Sequence, residues 1–251
     1  MNKQYIDINC DLGEGFGKWQ MGNDEAIMPF VSSVNIACGF HAGDPSTMMR
    51  TVELAKKHHV HIGAHPGFPD LQGFGRRNMN LSTKEVFDIV VYQIGALQAC
   101  SHSLGTKLHH VKPHGALYNM AANSISLARA IADAIYSLDP SLILYGLAGS
   151  QLILAGKDRG LKIYNEIFAD RTYQDNGFLT PRNQENAILT NPDQAIQQVL
   201  EVLETGNVTS IQGNRIPLKA DTICIHGDHP NSSVFAESLA KALVNKNIQI
   251  Q

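Results

Sequence analysis

The chain reads Ser33-Val-Asn-Ile-Ala-Cys38 and, after a polar loop and a helical segment, returns to a similar run with Val60-His-Ile-Gly-Ala64. Both runs are short and mostly apolar, as expected of strands that are covered on both faces. Between them, Met48, Val52 and Ala55 recur at the spacing of one face of a helix. This order of strand, helix and strand predicts a right-handed crossover unit of a parallel sheet.

The same alternation extends along the whole chain. Seven apolar runs are predicted as strands: Tyr5–Cys10, Ser33–Cys38, Val60–Ala64, His109–Lys112, Leu142–Gly146, Leu161–Ile167 and Thr222–His226. Such strands either close into an irregular barrel or remain an open doubly wound sheet. The open sheet has little support, because no G-x-G-x-x-G fingerprint follows an early strand. We predict a distorted α/β barrel of about seven strands and, since no linker is visible, a single domain over residues 1–251.

Two of the predicted helices have clear start and stop signals. Ser82-Thr-Lys-Glu85 is a capping box, in which the hydroxyl and the carboxylate each accept from the other residue's backbone N–H, and Gly105 can end that helix. Asn191-Pro192 places a cap residue and a first-turn proline at the start of another helix, which Gly206 ends. Apolar stripes near residues 48, 127 and 235 indicate three more helices.

Composition excludes several classes of function. The 251 residues contain 20 Lys+Arg and 23 Asp+Glu, and the formal charge of −3 argues against a nucleic-acid partner. No apolar run reaches the roughly 18 residues of a membrane span, and no signal peptide is evident, so we expect a cytoplasmic protein without a membrane partner. The four cysteines form no C-x-x-C pair and are expected to be reduced.

Charged and imidazole side chains are concentrated just after the predicted strands, at six of seven strand ends. In a parallel barrel these ends surround one mouth, where carboxylates and imidazoles can shift one another's pKa values and divide acid and base roles. The candidate catalytic residues are Asp11, Glu14, His41, His65 and His114. The candidate substrate-binding residues are Lys112, Glu166, Asp170, Arg171, Arg182, His226 and Asp228.

A simpler explanation exists for individual members of this set. Asp44 precedes Pro45 and Asp228 precedes the last helix, so each can be an N-cap. Capping does not explain the set as a whole, because it does not require histidines and lysines at strand ends.

A metal ion and a nucleotide are the two cofactors to consider. Asp11, His41 and His65 follow three consecutive strands and would suit zinc or another divalent ion. No H-E-x-x-H motif occurs, however, and we expect no tightly bound metal. The chain also lacks a G-x-x-x-x-G-K-[ST] P-loop and a G-x-S-x-G nucleophile elbow.

Several long motifs carry a family resemblance. They are Asn9–Gly15, Asn35–Pro45, Gly63–Gly67, Gly73–Arg77, Val111–Tyr118, Phe168–Arg171 and His226–Asp228. Through these motifs the chain resembles the LamB/YcsF lactam-utilisation family over about residues 5 to 240. One departure is His229-Pro230, where the family commonly has Thr-Pro. The resemblance implies the irregular seven-stranded parallel (β/α) barrel of the glycoside hydrolase/deacetylase type.

The resemblance further implies the ATP-dependent 5-oxoprolinase reaction, in which the lactam of 5-oxo-L-proline is hydrolysed to L-glutamate. It also implies two other subunits, which resemble an allophanate-hydrolase pair. Because no P-loop is present, we expect ATP, with Mg²⁺ as its counter-ion, to bind either at an unfamiliar site here or on the partner subunits.

Lactam hydrolysis requires a base for water, a donor to the developing oxyanion and a group that holds the substrate carboxylate. We expect Asp11 or Glu14 as the base, His65 and His114 as acid or oxyanion partners, and Arg171 with Lys112 as anion-binding residues. Two alternatives remain open. One is a stand-alone metal-dependent amide hydrolase or deacetylase, and the other is a non-catalytic subunit that binds a small ligand and regulates its partners.

Overall fold

The computed structural model describes residues 4–227 and 232–251. In chain order its strands are β1 (Gln4–Leu12), β2 (Ser33–Ala37), β3 (His61–His65), β4 (His110–Val111), β5 (Ile143–Leu147), β6 (Ile163–Phe168), β7 (Asn207–Thr209), β8 (Arg215–Pro217), β9 (Thr222–His226) and β10 (Ile248–Ile250). The strands β1 to β6 and β9 form a closed parallel barrel, because β1 pairs with β2 on one side and with β9 on the other. The predicted seven-stranded α/β barrel is therefore confirmed.

Each predicted strand is present, and its ends differ from the prediction by no more than two residues. The three strands that were not predicted lie outside the barrel. The short antiparallel hairpin of β7 and β8 follows the last helix before β9, and β10 extends the sheet beside the start of β1. Each of these strands is three residues long, which is too short for a hydrophobic period to be recognised.

Helices cover the outside of the barrel. They are α1 (Asp24–Ile27), α2 (Pro45–Lys57), α3 (Thr83–Ser103), α4 (Gly115–Asn123), α5 (Ile125–Leu138), α6 (Gln151–Arg159), α7 (Pro192–Thr205) and α8 (Ser232–Asn245), with a 3₁₀ turn at Met28–Phe30. Among the helices described here, none is long and apolar enough to cross a membrane.

The helix caps agree with the sequence. The Ser82 hydroxyl accepts from the Glu85 backbone N–H, and the Glu85 carboxylate accepts from the Ser82 backbone N–H, so the predicted capping box is confirmed. Asn191 caps α7, and Gly206 ends it in the left-handed conformation with φ +68°. Asp44 is an N-cap, since its carboxylate accepts from two backbone N–H groups of α2.

Two helices, α4 and α6, have no start signal in the sequence. His114 and Ser150 occupy their cap positions, but neither side chain makes a capping hydrogen bond. The start of α4 is set by tertiary structure instead, because the Ala116 N–H donates to the Gly75 carbonyl at 2.9 Å. Gly115 adopts φ +53°, and a Cβ atom there would lie 2.7 Å from the same carbonyl oxygen. Only glycine fits this approach without strain.

The lower interior of the barrel is hydrogen-bonded rather than purely aliphatic. Asp7 on β1 is buried and accepts from three hydroxyl groups, those of Ser32, Ser33 and Thr222. Burial raises the pKa of the Asp7 carboxyl, although the hydroxyl donors oppose the shift. These bonds tie β1 to β2 and β9 below the site and so fix the relative register of the strands.

Replacing Gly63 on β3 by alanine tests the packing of this interior. The His110 ring already fills the space that a Cβ atom would occupy, and its Nε2 is bonded to Asn35 Oδ1 at 2.7 Å. We expect Gly63→Ala to lower the free energy of unfolding by about 1–3 kcal/mol through overpacking. The control is Gly95→Ala in α3, where the position is open and alanine should add about 0.5–1 kcal/mol. Urea titration measures both changes, and a Gly63→Ala variant as stable as the control would contradict this packing.

Candidate active site

A cavity of about 1140 Å³ opens at the C-terminal ends of the barrel strands. Eight of the candidate residues line it: Asp11, Glu14, His65, Lys112, His114, Arg171, Arg182 and His226. They come from distant parts of the chain and meet because parallel strands end at the same rim. His41, Glu166 and Asp170 lie behind this lining, and Asp228 falls outside the described residues.

Lys112, directly after β4, is a buried cation in the floor of the cavity and is only 2 % exposed. Its Nζ atom lies 3.0 Å from Asp11 Oδ1 and 2.9 Å from Glu166 Oε1. It also contacts Asn9 Oδ1 at 3.1 Å and Cys224 Sγ at 2.9 Å. The ammonium group is thus held by two carboxylates and two further acceptors, as a charge removed from water requires.

The two partners of this ion pair stabilise each other's charged forms. Burial alone lowers the pKa of Lys112, but the negative charges of Asp11 and Glu166 outweigh that effect and raise it well above its usual value. Burial alone raises the pKa of Asp11, but His65 and Lys112 hold it well below its usual value. Asp11 is therefore a carboxylate and Lys112 an ammonium at neutral pH.

Glu166, predicted to bind the substrate, does not line the cavity. This side chain is fully buried on β6, where it accepts from Asn9 Nδ2 at 2.9 Å and from the Tyr118 hydroxyl at 2.6 Å. Together with the contact to Lys112, these bonds engage both carboxylate oxygens of Glu166 beneath the cavity lining. We therefore revise its predicted role from binding the substrate to holding Lys112.

Four side chains beside Asp11 form a compact group, here called the histidine cluster: Glu14, His41, His65 and His114. Glu14 Oε1 lies 3.5 Å from His41 Nε2 and 3.6 Å from His114 Nδ1. His114 Nδ1 lies 2.9 Å from His65 Nε2. One ligand-type atom from each of the four residues lies within 4.8 Å of all the others. The cluster therefore joins the ends of the first four barrel strands.

His41 is the deepest member of the cluster. Its ring is fully buried and stacks on the His114 ring, with centroids 3.7 Å apart and planes within 3° of parallel. Burial lowers the pKa of both imidazoles well below the usual histidine value, and each is further lowered by a neighbouring histidine. We therefore revise the predicted direct catalytic role of His41, because its ring lies behind His114 and not on the cavity wall.

Arginine side chains make one side of the cavity basic. Arg171 is only 5 % exposed, and its guanidinium donates to the backbone carbonyls of Thr180 and Ala187 at 2.5 and 3.2 Å. Burial, with Arg182 nearby, lowers the pKa of Arg171 to about 10. The guanidinium remains charged at neutral pH and lines the cavity with Arg76 and Arg182. A guanidinium fork suits carboxylate or phosphate oxygens.

Asp170 acts on this rim through His226 at the end of β9. His226 Nδ1 lies 2.8 Å from the Asp170 carboxylate, and His226 Nε2 lies 3.1 Å from Arg182 Nη2. Burial raises the pKa of Asp170, but His226 and Arg182 outweigh it and produce a net lowering. Asp170 therefore orients His226 rather than facing the cavity.

Residues outside the predicted set also shape the floor of the site. Asn9 and Asn35 are fully buried; Asn35 is in register with Asp11 across β1 and β2, and its amide donates to Asp11 Oδ1 at 2.8 Å. Side chains alternate between the two faces of a strand, so the sequence itself indicates that Asn9 and Asn35 lie on the inward face of adjacent strands. Tyr118 lies on α4, and Cys224 lies on β9. No sequence signal indicates their contacts with Glu166 and Lys112.

The fold and the site together define a class of protein, a (β/α) barrel with carboxylates, imidazoles and guanidinium groups gathered at its mouth. The chain belongs to the LamB/YcsF family, whose profile matches residues 6–251.

Known proteins resemble the chain along nearly its full length. It is 56% identical over 245 residues to the A subunit of 5-oxoprolinase from Brevibacillus brevis, covering 98% of this chain and 96% of that one. The solved lactam utilization protein from Thermus thermophilus superposes with a TM-score of 0.93 at 43% identity and covers 99% of both chains. A family 4 carbohydrate esterase from Streptomyces lividans, with a TM-score of 0.50 at 13% identity over 98% of this chain and 91% of that one, shares the fold alone.

Replacing Lys112 by methionine tests the buried ion pair. The change leaves Asp11 and Glu166 without their ammonium partner, and we expect the free energy of unfolding at neutral pH to fall by about 3–5 kcal/mol. The loss of stability should become smaller on acidification, because Asp11 no longer has the ammonium group that lowers its pKa and takes up a proton more readily in the folded state.

The control for this variant is Lys241→Met, which removes an exposed pairing with Glu237 on α8 and should leave the stability nearly unchanged. Urea unfolding at several pH values measures both variants. A Lys112→Met protein as stable as the control at neutral pH would contradict the buried pair.

Proposed function

We propose that this chain is the component that opens the lactam ring in an ATP-dependent 5-oxoprolinase. Support comes from the names of its relatives, a 5-oxoprolinase subunit in Brevibacillus brevis and a lactam utilization protein in Thermus thermophilus. The observation that carries the proposal is the position of the Asp11 carboxylate, which faces a cavity beside two imidazoles and opposite a basic rim.

The reaction makes defined demands on the site. An unstrained lactam is stabilised by amide resonance, so water must be activated and negative charge on the carbonyl oxygen must be balanced. ATP supplies the driving force, and phosphorylation of the carbonyl oxygen would make its carbon more electrophilic. The cavity must then admit a small ring with a carboxylate and, at that stage, a phosphoryl group.

Asp11 is the carboxylate that we propose to activate water. Its Oδ1 atom is held by Lys112 and Asn35, whereas its Oδ2 atom lies 3.3 Å from His65 Nε2 on the side of the histidine cluster. Because the pKa of Asp11 lies well below its usual value, the group is charged at neutral pH but is a weak base. Water at this position therefore has to be made more acidic by nearby positive charge.

His65 and His114 fit acceptor roles better than the acid or oxyanion roles predicted from sequence. The His65 Nδ1–H donates to the Lys112 carbonyl at 2.7 Å, and the His114 Nε2–H donates to the Phe74 carbonyl at 2.8 Å. In the neutral rings the other nitrogens, His65 Nε2 and His114 Nδ1, are then lone-pair acceptors. In this neutral form they can receive a proton or bind a cation, and they can donate to an oxyanion only after one of them has taken up a proton.

The basic rim suits the anionic parts of the substrate. Arg171 is held rigidly by two carbonyls, and it lines the cavity together with Arg182 and His226. We propose that Arg171 and Arg182 bind the substrate carboxylate. Lys112, which was predicted to bind the substrate anion, is proposed instead to fix the charge of Asp11.

The relatives are named as subunits, which indicates a multi-subunit complex. We propose that the partners are the two subunits that resemble an allophanate-hydrolase pair and that they bind Mg²⁺-ATP, since this chain has no P-loop. Isothermal titration of the isolated chain with Mg²⁺-ATP should give no binding at micromolar nucleotide, whereas tight binding would place the nucleotide site here.

Substitution of Asp11 by asparagine tests the proposed role directly. In the assembled complex we expect Asp11→Asn to reduce ATP-dependent release of glutamate from 5-oxo-L-proline by roughly 10²–10⁴-fold, because the water loses its carboxylate partner. The matched control is Asp158→Asn on the exposed side of α6, which should retain wild-type turnover. Circular dichroism and co-purification of the partner subunits verify folding and assembly.

Full turnover by a folded and assembled Asp11→Asn complex would contradict the catalytic role and favour a non-catalytic, ligand-binding subunit. A stand-alone amide hydrolase is a second candidate, because the histidine cluster resembles a metal-binding donor set. Activity of the isolated chain on an N-acetylated sugar without ATP would support that candidate over a 5-oxoprolinase.

A further inference from the structure

The hydrogen bonds of the histidine cluster place two ring nitrogens in conflict. His65 and His114 each donate one ring N–H to a backbone carbonyl, so in the neutral rings their remaining nitrogens both carry lone pairs. Those nitrogens nevertheless face each other at 2.9 Å. Two lone pairs at this distance repel unless a proton or a metal cation lies between them.

His41 shows a similar lack of a partner. Its ring is fully buried, and neither Nδ1 nor Nε2 makes a hydrogen bond to any described residue. A buried imidazole without hydrogen bonds is costly, since its polar atoms have lost water and gained nothing in return. Its Nε2 atom points toward Glu14 Oε1 at 3.5 Å, the oxygen that also lies 3.6 Å from His114 Nδ1.

The distances fit the coordination of a metal ion. A tetrahedral ion with ligands at about 2.0–2.1 Å separates its ligand atoms by about 3.3 Å. Three of the six separations in the cluster are 2.9, 3.5 and 3.6 Å, and all four donor atoms lie within 4.8 Å of one another. A metal-ligating imidazole usually donates its ring N–H to a carbonyl or carboxylate, which fixes the orientation of the ring. His65 and His114 each donate a ring N–H to a backbone carbonyl in this way.

We propose that Glu14, His41, His65 and His114 form a binding site for one divalent transition-metal ion of the zinc class. Three imidazoles and a carboxylate favour Zn²⁺ and related ions over Mg²⁺ or Ca²⁺, which prefer oxygen ligands. The proposal departs from our expectation from sequence in two respects: it places an ion at this site, and it names Glu14 in place of Asp11 among the ligands.

A catalytic role for the ion rests on the proposed function. Binding of the ion does not depend on that function and can be tested separately. Asp11 lies just outside the donor set, 3.3 Å from His65 Nε2. A Lewis acid here would lower the pKa of water beside Asp11 and so assist removal of its proton. Asp11 and Glu166 share the buried Lys112 ammonium, whereas the ion would balance the charge of Glu14.

Metal binding by the full-length chain tests the proposal without reference to turnover. Chelator-treated protein is titrated with Zn²⁺ by calorimetry, and metal content after dialysis is measured by plasma mass spectrometry. We expect one ion per chain, and at least tenfold weaker binding in each of His41→Gln and His114→Gln. The matched control is His109→Gln, which alters the stacked His61/His109 pair at the opposite end of the barrel and should bind Zn²⁺ as the wild type does.

A second readout keeps the test decisive if a variant folds poorly. In wild-type protein with ¹⁵N-labelled histidine, added Zn²⁺ should shift the imidazole resonances of the cluster, and Co²⁺ should give the visible absorption of a low-symmetry site. Absence of Zn²⁺ binding, or binding that His109→Gln removes and His41→Gln retains, would overturn the proposal. The same holds for a ¹⁵N spectrum of metal-free protein that shows a protonated His65/His114 pair at neutral pH and does not change with Zn²⁺.

Discussion

The structure depends on one buried charge, the ammonium group of Lys112. An isolated ammonium in the barrel interior would be prohibitively unfavourable, so its neighbours are determined by the need to compensate it. Asp11 and Glu166 supply negative charge, and Glu166 in turn fixes Tyr118 on α4. The backbone carbonyl of the same lysine accepts from His65 Nδ1 and so sets which nitrogen of that ring faces the cavity.

The barrel could be predicted because most of its strands are short, largely apolar and buried runs, each followed by a loop rich in glycine and polar residues. The capped helices α3 and α7 could also be predicted, since their signals are local. The α4 helix was missed because its start depends on the Gly75 carbonyl, forty residues away in the chain. The β7–β8 hairpin was missed because short strands carry no periodic signal.

The site was predicted from position rather than from geometry, and this explains which parts of it required revision. Strand ends place Asp11, His65 and His114 around one mouth, as the topology of a parallel barrel requires. Strand position alone does not show that Glu166 points down to Lys112 or that the His41 ring lies behind His114. The direction of each ring N–H bond, which decides between acid and acceptor roles, depends on backbone carbonyls that are distant in sequence.

The central claim is that one cavity, with Asp11 at its floor and Arg171 on its rim, binds the lactam. A crystal structure of the chain with 5-oxo-L-proline tests it most directly. We predict electron density for the ring in this cavity, with its carboxylate bonded to Arg171 or Arg182 and its carbonyl carbon on the side of Asp11. Ligand density at another surface, with this cavity occupied only by solvent at saturating ligand, would contradict the claim.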